Sequence, residues 1–125
     1  MIPRVRAVKF TAHTIRAKID GIPTMARIQV CPYVPMVGHY KKKEPVVLVD
    51  RKITDPKERQ SLALHELHER YRRYHDHMGP KSAHDLSERE EHHWAVRHGV
   101  HWNRYSRNVE HVFRQNHRDG VRRRR

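Results

Sequence analysis

Apolar and polar residues alternate along the first half of the chain. Val5-Arg6-Ala7-Val8-Lys9-Phe10 and the stretch from His13 to Ile19 follow the period of a half-buried strand. Asp20-Gly21 predicts a turn, and Ala26-Arg27-Ile28-Gln29-Val30 alternates again beyond it. Pro32, Pro35 and Gly38 then predict an irregular loop, ending in a solvated tip at Lys41-Lys42-Lys43. Val46-Val47-Leu48-Val49-Asp50 is apolar without alternation, the mark of a strand covered on both faces.

The second half changes to a helical period. Asp55-Pro56-Lys57-Glu58 predicts a helix start, with Asp as the cap, Pro at the first position and Glu at the third. The helix should run to Tyr74 and stop before Gly79-Pro80. At about 100° per residue, Ala63, Leu64, Leu67, Tyr71 and Tyr74 fall on one arc and His65 and Glu69 on the other side. That pair must therefore face water or a second element. Ser82 with Asp85 predicts the start of a second helix, whose His84, Glu88 and Glu91 share a face. Trp102, Tyr105, Val109, Val112 and Phe113 are spaced as a third helix. The expected fold class is α+β, a small N-terminal β-sheet packed on two or three C-terminal helices. It forms one domain over residues 1–120, followed by a basic disordered tail at 121–125.

Charge is unevenly spread. Residues 1–52 carry 11 Lys/Arg against 3 Asp/Glu, residues 53–96 carry 7 against 9, and residues 97–125 carry 9 against 2. Basic ends thus flank an acidic middle that bears the His-Glu pair. Such a balance points to nucleic acid or another polyanion as a partner, with Arg122, Arg123, Arg124 and Arg125 as phosphate contacts. Assembly with other protein chains is a further expectation. Cys31 stands alone, which excludes an internal disulfide and a Cys-based zinc knuckle. No apolar run approaches the ~20 residues of a membrane span. The start lacks the apolar core of a signal peptide, so a cytoplasmic location, or a particle assembled in a cytoplasm, is expected.

The chemistry lies in His65-Glu66-Leu67-His68-Glu69. His65 and Glu69 are two metal-competent side chains one helical turn apart. Glu66 adjoins the first but points away from it, placed to act on a water without ligating. A third ligand is needed, and His84 lies across the Gly79-Pro80 break, far enough along for an antiparallel return. Glu88 could replace His84 or orient it. With 13 histidines in 125 residues a lone His/Glu pair is unremarkable, so the neighbouring elements must carry the argument.

These residues resemble the zincin-type metallopeptidases, in which a strand precedes the His-Glu helix and a following helix brings the third ligand. The resemblance covers roughly residues 46–91. It implies a zinc-like or other divalent-metal site of His65, Glu69 and His84 (or Glu88), with Glu66 as the catalytic base of a peptidase-type hydrolase. The chain is also similar to small phage- and prophage-encoded proteins with a His-Glu-x-x-Glu helix followed by an Ala-His pair, here Ala83-His84, which implies a phage virion as a second location. Glu69 stands where most zincins have His, which lowers the site charge and leaves manganese open beside zinc.

Two other readings stand beside it. Glu66, Glu69, Arg70, Arg72 and Arg73 could form i,i+4 ion pairs on a solvated helix face, leaving a non-enzymatic basic structural or nucleic-acid-contacting protein, for example a phage particle or assembly component. His93, Asn108 and His117 have a spacing close to that of an HNH nuclease, but the intervening residues read as helix where that site needs a hairpin.

Overall fold

A computed structural model describes residues 5–123, with side chains described through Gly120. Five strands precede three helices: β1 (Val5–Phe10), β2 (Thr14–Ile19), β3 (Ile22–Cys31), β4 (Gly38–Tyr40), β5 (Val46–Asp50), α1 (Pro56–Tyr74), α2 (Pro80–Arg97) and α3 (Trp102–Arg123). The fold is α+β. The strands form one sheet in the order β1-β2-β3-β5-β4. Neighbours are antiparallel except β3 and β5, which run parallel.

Alternation does what the sequence requires of it. Ile15, Ala17 and Ile19 of β2, Ala26 of β3, and Val47 and Val49 of β5 are buried toward α1. Ala63, Leu64, Leu67 and Tyr71 of α1 meet them. Four of the five β5 residues are buried and Leu48 is half-buried, as its unbroken apolar run requires. Tyr74 departs from the expected arc: it is 37% exposed and meets Tyr40 in a T-shaped pair.

Several boundaries differ from the sequence expectation. β3 starts at Ile22, immediately after the Asp20-Gly21 turn. The loop after Cys31 contains the short β4, three residues that the prolines around it disguise. α2 is capped by Gly79 with Pro80 at its first turn, not by Ser82, so the pair read as a stop also starts the next helix. The Asp55 cap is present and its side chain accepts from the N–H groups of Lys57 and Glu58. Glu58 does not close a capping box; it accepts from Asn108 Nδ2 of α3 at 3.1 Å.

α3 is fixed at three further points. Tyr105 donates to Glu91 of α2, Asn116 Nδ2 donates to Val34 O at 2.7 Å and to Asp50 Oδ2 at 2.8 Å, and Tyr33 donates to Asn116 O. Burial alone would raise the Asp50 pKa. The N–H groups of Lys52 and Val34, the Asn116 amide and the Lys52 charge together hold it below its usual value. The α3 backbone continues through Gly120 to Arg123. Of the residues expected to form the basic tail, the side chains of Val121, Arg122 and Arg123, and the whole of Arg124 and Arg125, lie outside the described residues. No helix among the described residues is long and apolar enough to cross a membrane.

Candidate metal centre

β5 leads into α1, and α1 returns as α2 after a short connection, so consecutive helices pack side by side. The face of α1 opposite the sheet therefore meets α2 and not water. His65 is 6% exposed there. One turn on, Glu69 Oε1 lies 3.0 Å from His65 Nε2 and 3.2 Å from His84 Nδ1 of α2. The two imidazoles meet edge to face with centroids 4.9 Å apart. One ligand atom from each of His65, Glu69 and His84 lies within 4.8 Å of the others.

A fourth side chain orients this set. Glu91 Oε1 accepts from His65 Nδ1 at 3.0 Å, while its Oε2 accepts from Ser61 at 2.7 Å and from Tyr105. With Nδ1–H committed to Glu91, it is Nε2 that faces Glu69 and His84. A carboxylate behind a ligand imidazole fixes its tautomer and raises its basicity. Glu88, expected to replace or orient His84, is exposed and lines the adjoining cavity without joining the group of His65, Glu69 and His84. Glu91 occupies the same face of α2 two turns after His84, and that spacing was the signal that could have found it. Ser61, one turn before His65, and Tyr105, on another helix, left no comparable trace in the sequence.

Glu66 is 6% exposed, and its carboxylate has no hydrogen-bond partner among the described residues. It lines a cavity of about 520 Å³ together with His65, His84 and Glu91, with Trp102, Val109 and Phe113 of α3 on its wall. Burial pushes its pKa up to about 8; the His65 charge opposes the rise, and the Glu69 and Glu91 charges add to it. A carboxyl poised near neutrality suits proton transfer at neutral pH. Glu66 also depends on Gly38 of β4. A Cβ at that glycine would stand 2.7 Å from Glu66 Oε2 and 2.8 Å from a Leu62 methyl. Gly38, read from sequence only as a breaker, is what lets the edge strand approach the carboxylate.

The other charges follow from the same contacts. Burial would lower the His65 pKa, but the hydrogen bonds to Glu69 and Glu91 and the charges of Glu66 and Glu91 raise it well above the usual value. Glu69 is held low against its own burial, by His65 first and then His84. The alternative of a solvated ion-pair face finds no counterpart. Arg70 bonds Lys41 O, Arg72 pairs with Asp20 and Asp76, and Arg73 bonds Met78 O. His93, Asn108 and His117 lie on α2 and α3, with no hairpin between them.

Compared with protein-family models, curated proteins and solved structures, the chain matches none. What the site can do rests on its own geometry. Two imidazoles and one carboxylate form a donor set typical of catalytic zinc, with room for a fourth position. His65 Nε2, Glu69 Oε1 and His84 Nδ1 already converge. The residues fit a divalent metal.

Proposed function

We propose that the protein is a metal-dependent hydrolase of peptidase type, with His65, Glu69 and His84 as ligands and Glu66 as general base. The observation that carries this reading is the meeting of the convergent ligand atoms with a buried, unpartnered Glu66 in one cavity. A zinc or similar divalent ion there would polarise a carbonyl and make water a stronger nucleophile. Glu66 would take the proton of the attacking water and return it to the leaving amine. Glu91 would keep His65 in its ligating tautomer, and α3 would shield the site from bulk solvent. β4 ends the sheet beside Glu66, and an extended peptide pairing on its outer edge would pass the site.

The test is elemental analysis of protein purified without chelating resin. His65→Ala should abolish stoichiometric metal. Glu66→Gln should keep the metal and lose peptide hydrolysis. Normal metal content in the His65→Ala protein would sink the assignment.

One observation favours a second reading. The ligand atoms also satisfy one another, so the cluster can serve as a lock between α1 and α2 in a non-enzymatic protein. That reading keeps the proposal of a structural or nucleic-acid-contacting component of a phage particle, with Arg122 to Arg125 on phosphates. Stoichiometric metal separates the two, because a lock needs none.

A further inference from the structure

α1 covers one face of the sheet, the face of Ile15, Ala17, Ile19 and Ala26. The other face alternates with these residues and presents Arg6, Lys9, Arg16, Lys18 and Arg27, all exposed. Register sets Arg6 directly opposite Lys18 and Lys9 directly opposite Arg16. Like charges facing each other across strands destabilise a sheet. Among the described residues none of these four has an acidic partner. Of the five, Arg27 alone has one, the exposed Glu44 at 3.4 Å.

The backbone is bent to make this pattern. Arg6 and Lys9 are three residues apart, and strict alternation would send them to opposite faces. A register shift lies between them, with Ala7 at a φ of 52°, a conformation uncommon outside glycine. It returns Lys9 to the face of Arg6 while Val5, Val8 and Phe10 all turn toward the core.

Two bland explanations fall short. Lysine and arginine on an edge strand prevent edge-to-edge pairing, but Arg16 and Lys18 belong to β2, which has β1 on one side and β3 on the other. Solubility needs charge but is served as well by mixed signs, which would spare the repulsion. A lattice of cations about 7 Å apart along strands and about 4.8 Å between them suits a dense array of fixed anions. The face carries no Phe, Tyr or Trp among the described residues: Phe10 turns to Trp94, and Tyr40 is buried opposite Val47. Unpaired bases would find nothing to stack on, and a bilayer no aromatic anchor.

We infer that the open face of β1, β2 and β3 docks on the phosphate backbone of duplex nucleic acid, without reading sequence. The inference rests on residues of β1, β2 and β3 alone, and it does not depend on the hydrolase reading.

The test uses the full chain and a mixed-sequence DNA duplex titrated with salt. Arg16→Glu with Lys18→Glu turns both like-charge pairs into opposite-charge pairs. It should weaken binding and make the log–log salt slope shallower by about 2 units, since each phosphate contact contributes about 0.9. The melting temperature should hold or rise, because the same change removes cross-strand repulsion. Arg16→Gln with Lys18→Gln is the second variant and should act in the same direction without new ion pairs. Duplex affinity and slope unchanged in both variants would overturn the inference. So would a loss of binding that follows only deletion of residues 122–125, or binding to phosphatidylserine vesicles with none to the duplex.

Discussion

His65 and His68 lie on α1 three residues apart. Both are buried, and both meet α2 through Nδ1, yet they are held in opposite protonation states. His65 faces Glu91, Glu69 and Glu66, which favour its cation. His68 faces Ser87 at 2.7 Å, and Arg72 Nε donates to its Nε2 at 3.2 Å, so the ring must be neutral with its proton on Nδ1. Burial first, then the Arg72 charge, pushes the His68 pKa down to about 3. Arg72 in turn pairs with Asp20 in the turn between β2 and β3 and with Asp76 after α1. One histidine has acidic company and a neighbouring cavity. The other is the middle of a chain of hydrogen bonds that ties two helices to the sheet. Burial is common to both; the neighbours decide the role.

The comparison is broken most directly by removing His68. His68→Ala empties a fully buried site and strands the Arg72 and Ser87 groups that met its ring. A loss of about 2–4 kcal/mol in denaturant unfolding is expected, from the cavity and the unsatisfied polar groups together. Metal content per folded chain should not change. A near-neutral result, or lost metal, would mean that the two histidines do not divide structure from site as described.

A smaller effect is expected from the α2 side of the comparison. Glu91→Gln keeps the shape but weakens the hold on His65 Nδ1, and metal affinity should fall by about 10–100-fold, as for other outer-shell partners. Ser87→Ala, the equivalent change behind His68, should leave affinity alone. Competition against a chromophoric chelator reads both. Equal losses would show that α2 supports the proposed ligands only through helix packing.

How much of this was legible follows from the period of each element. Alternation in β2 and the middle of β3 gave their inner faces, the bulge at Ala7 broke it in β1, and Asp55-Pro56 placed the start of α1. The wheel put His65 and Glu69 off the core arc, but it could not say what covers them, because that depends on how α2 returns. Three residues of β4 are too few for any period, and pairing with β5 is what makes them a strand. The parallel contact of β3 with β5 is non-local and leaves no mark on either segment. His84 was found through spacing, since the 15 residues from Glu69 span the Gly79-Pro80 break and leave room for an antiparallel return. Glu91 shared its face, but only its contact with His65 Nδ1 across the helix pair gives it a role. Tyr105 and Gly38 entered the site only through packing, Tyr105 across a helix pair and Gly38 across the strand-to-helix contact. The pairing of cations on the open sheet face was hidden for a related reason: the bulge at Ala7 shifts the register by which they are opposed.

The finest test of the comparison is the pH dependence of stability in the metal-free protein, where the two histidines should act with opposite sign. His68 has a folded pKa of about 3 against 6.5 for the free side chain. Above 6.5 neither state binds its proton and the stabilisation from a neutral His68 is complete. Between 6.5 and about 3 the unfolded chain takes up a proton that the folded one refuses, so stability falls as pH falls, by up to ~1.4 kcal/mol per pH unit. His65 runs the other way. Its folded pKa is raised, so its contribution is complete below 6.5 and is lost as pH rises through the folded value. Carboxylates away from both rings titrate in the same range, and taking each variant minus the unsubstituted protein removes them to first order; Glu66 and Glu69, which His65 touches, stay in the difference. His68→Gln should flatten the acid side of the stability profile between 6.5 and about 3 and leave the alkaline side alone. His65→Gln should flatten the profile above 6.5; it also frees Glu69, which His65 holds low, so the slope between 6.5 and about 4.5, above the range of Glu69, is the acid-side comparison with His68→Gln. Urea midpoints measured across that range in the presence of a chelator read both slopes. Changes of the same sign in the two variants would show that burial, and not the identity of the α2 and α1 neighbours, sets the protonation of both rings.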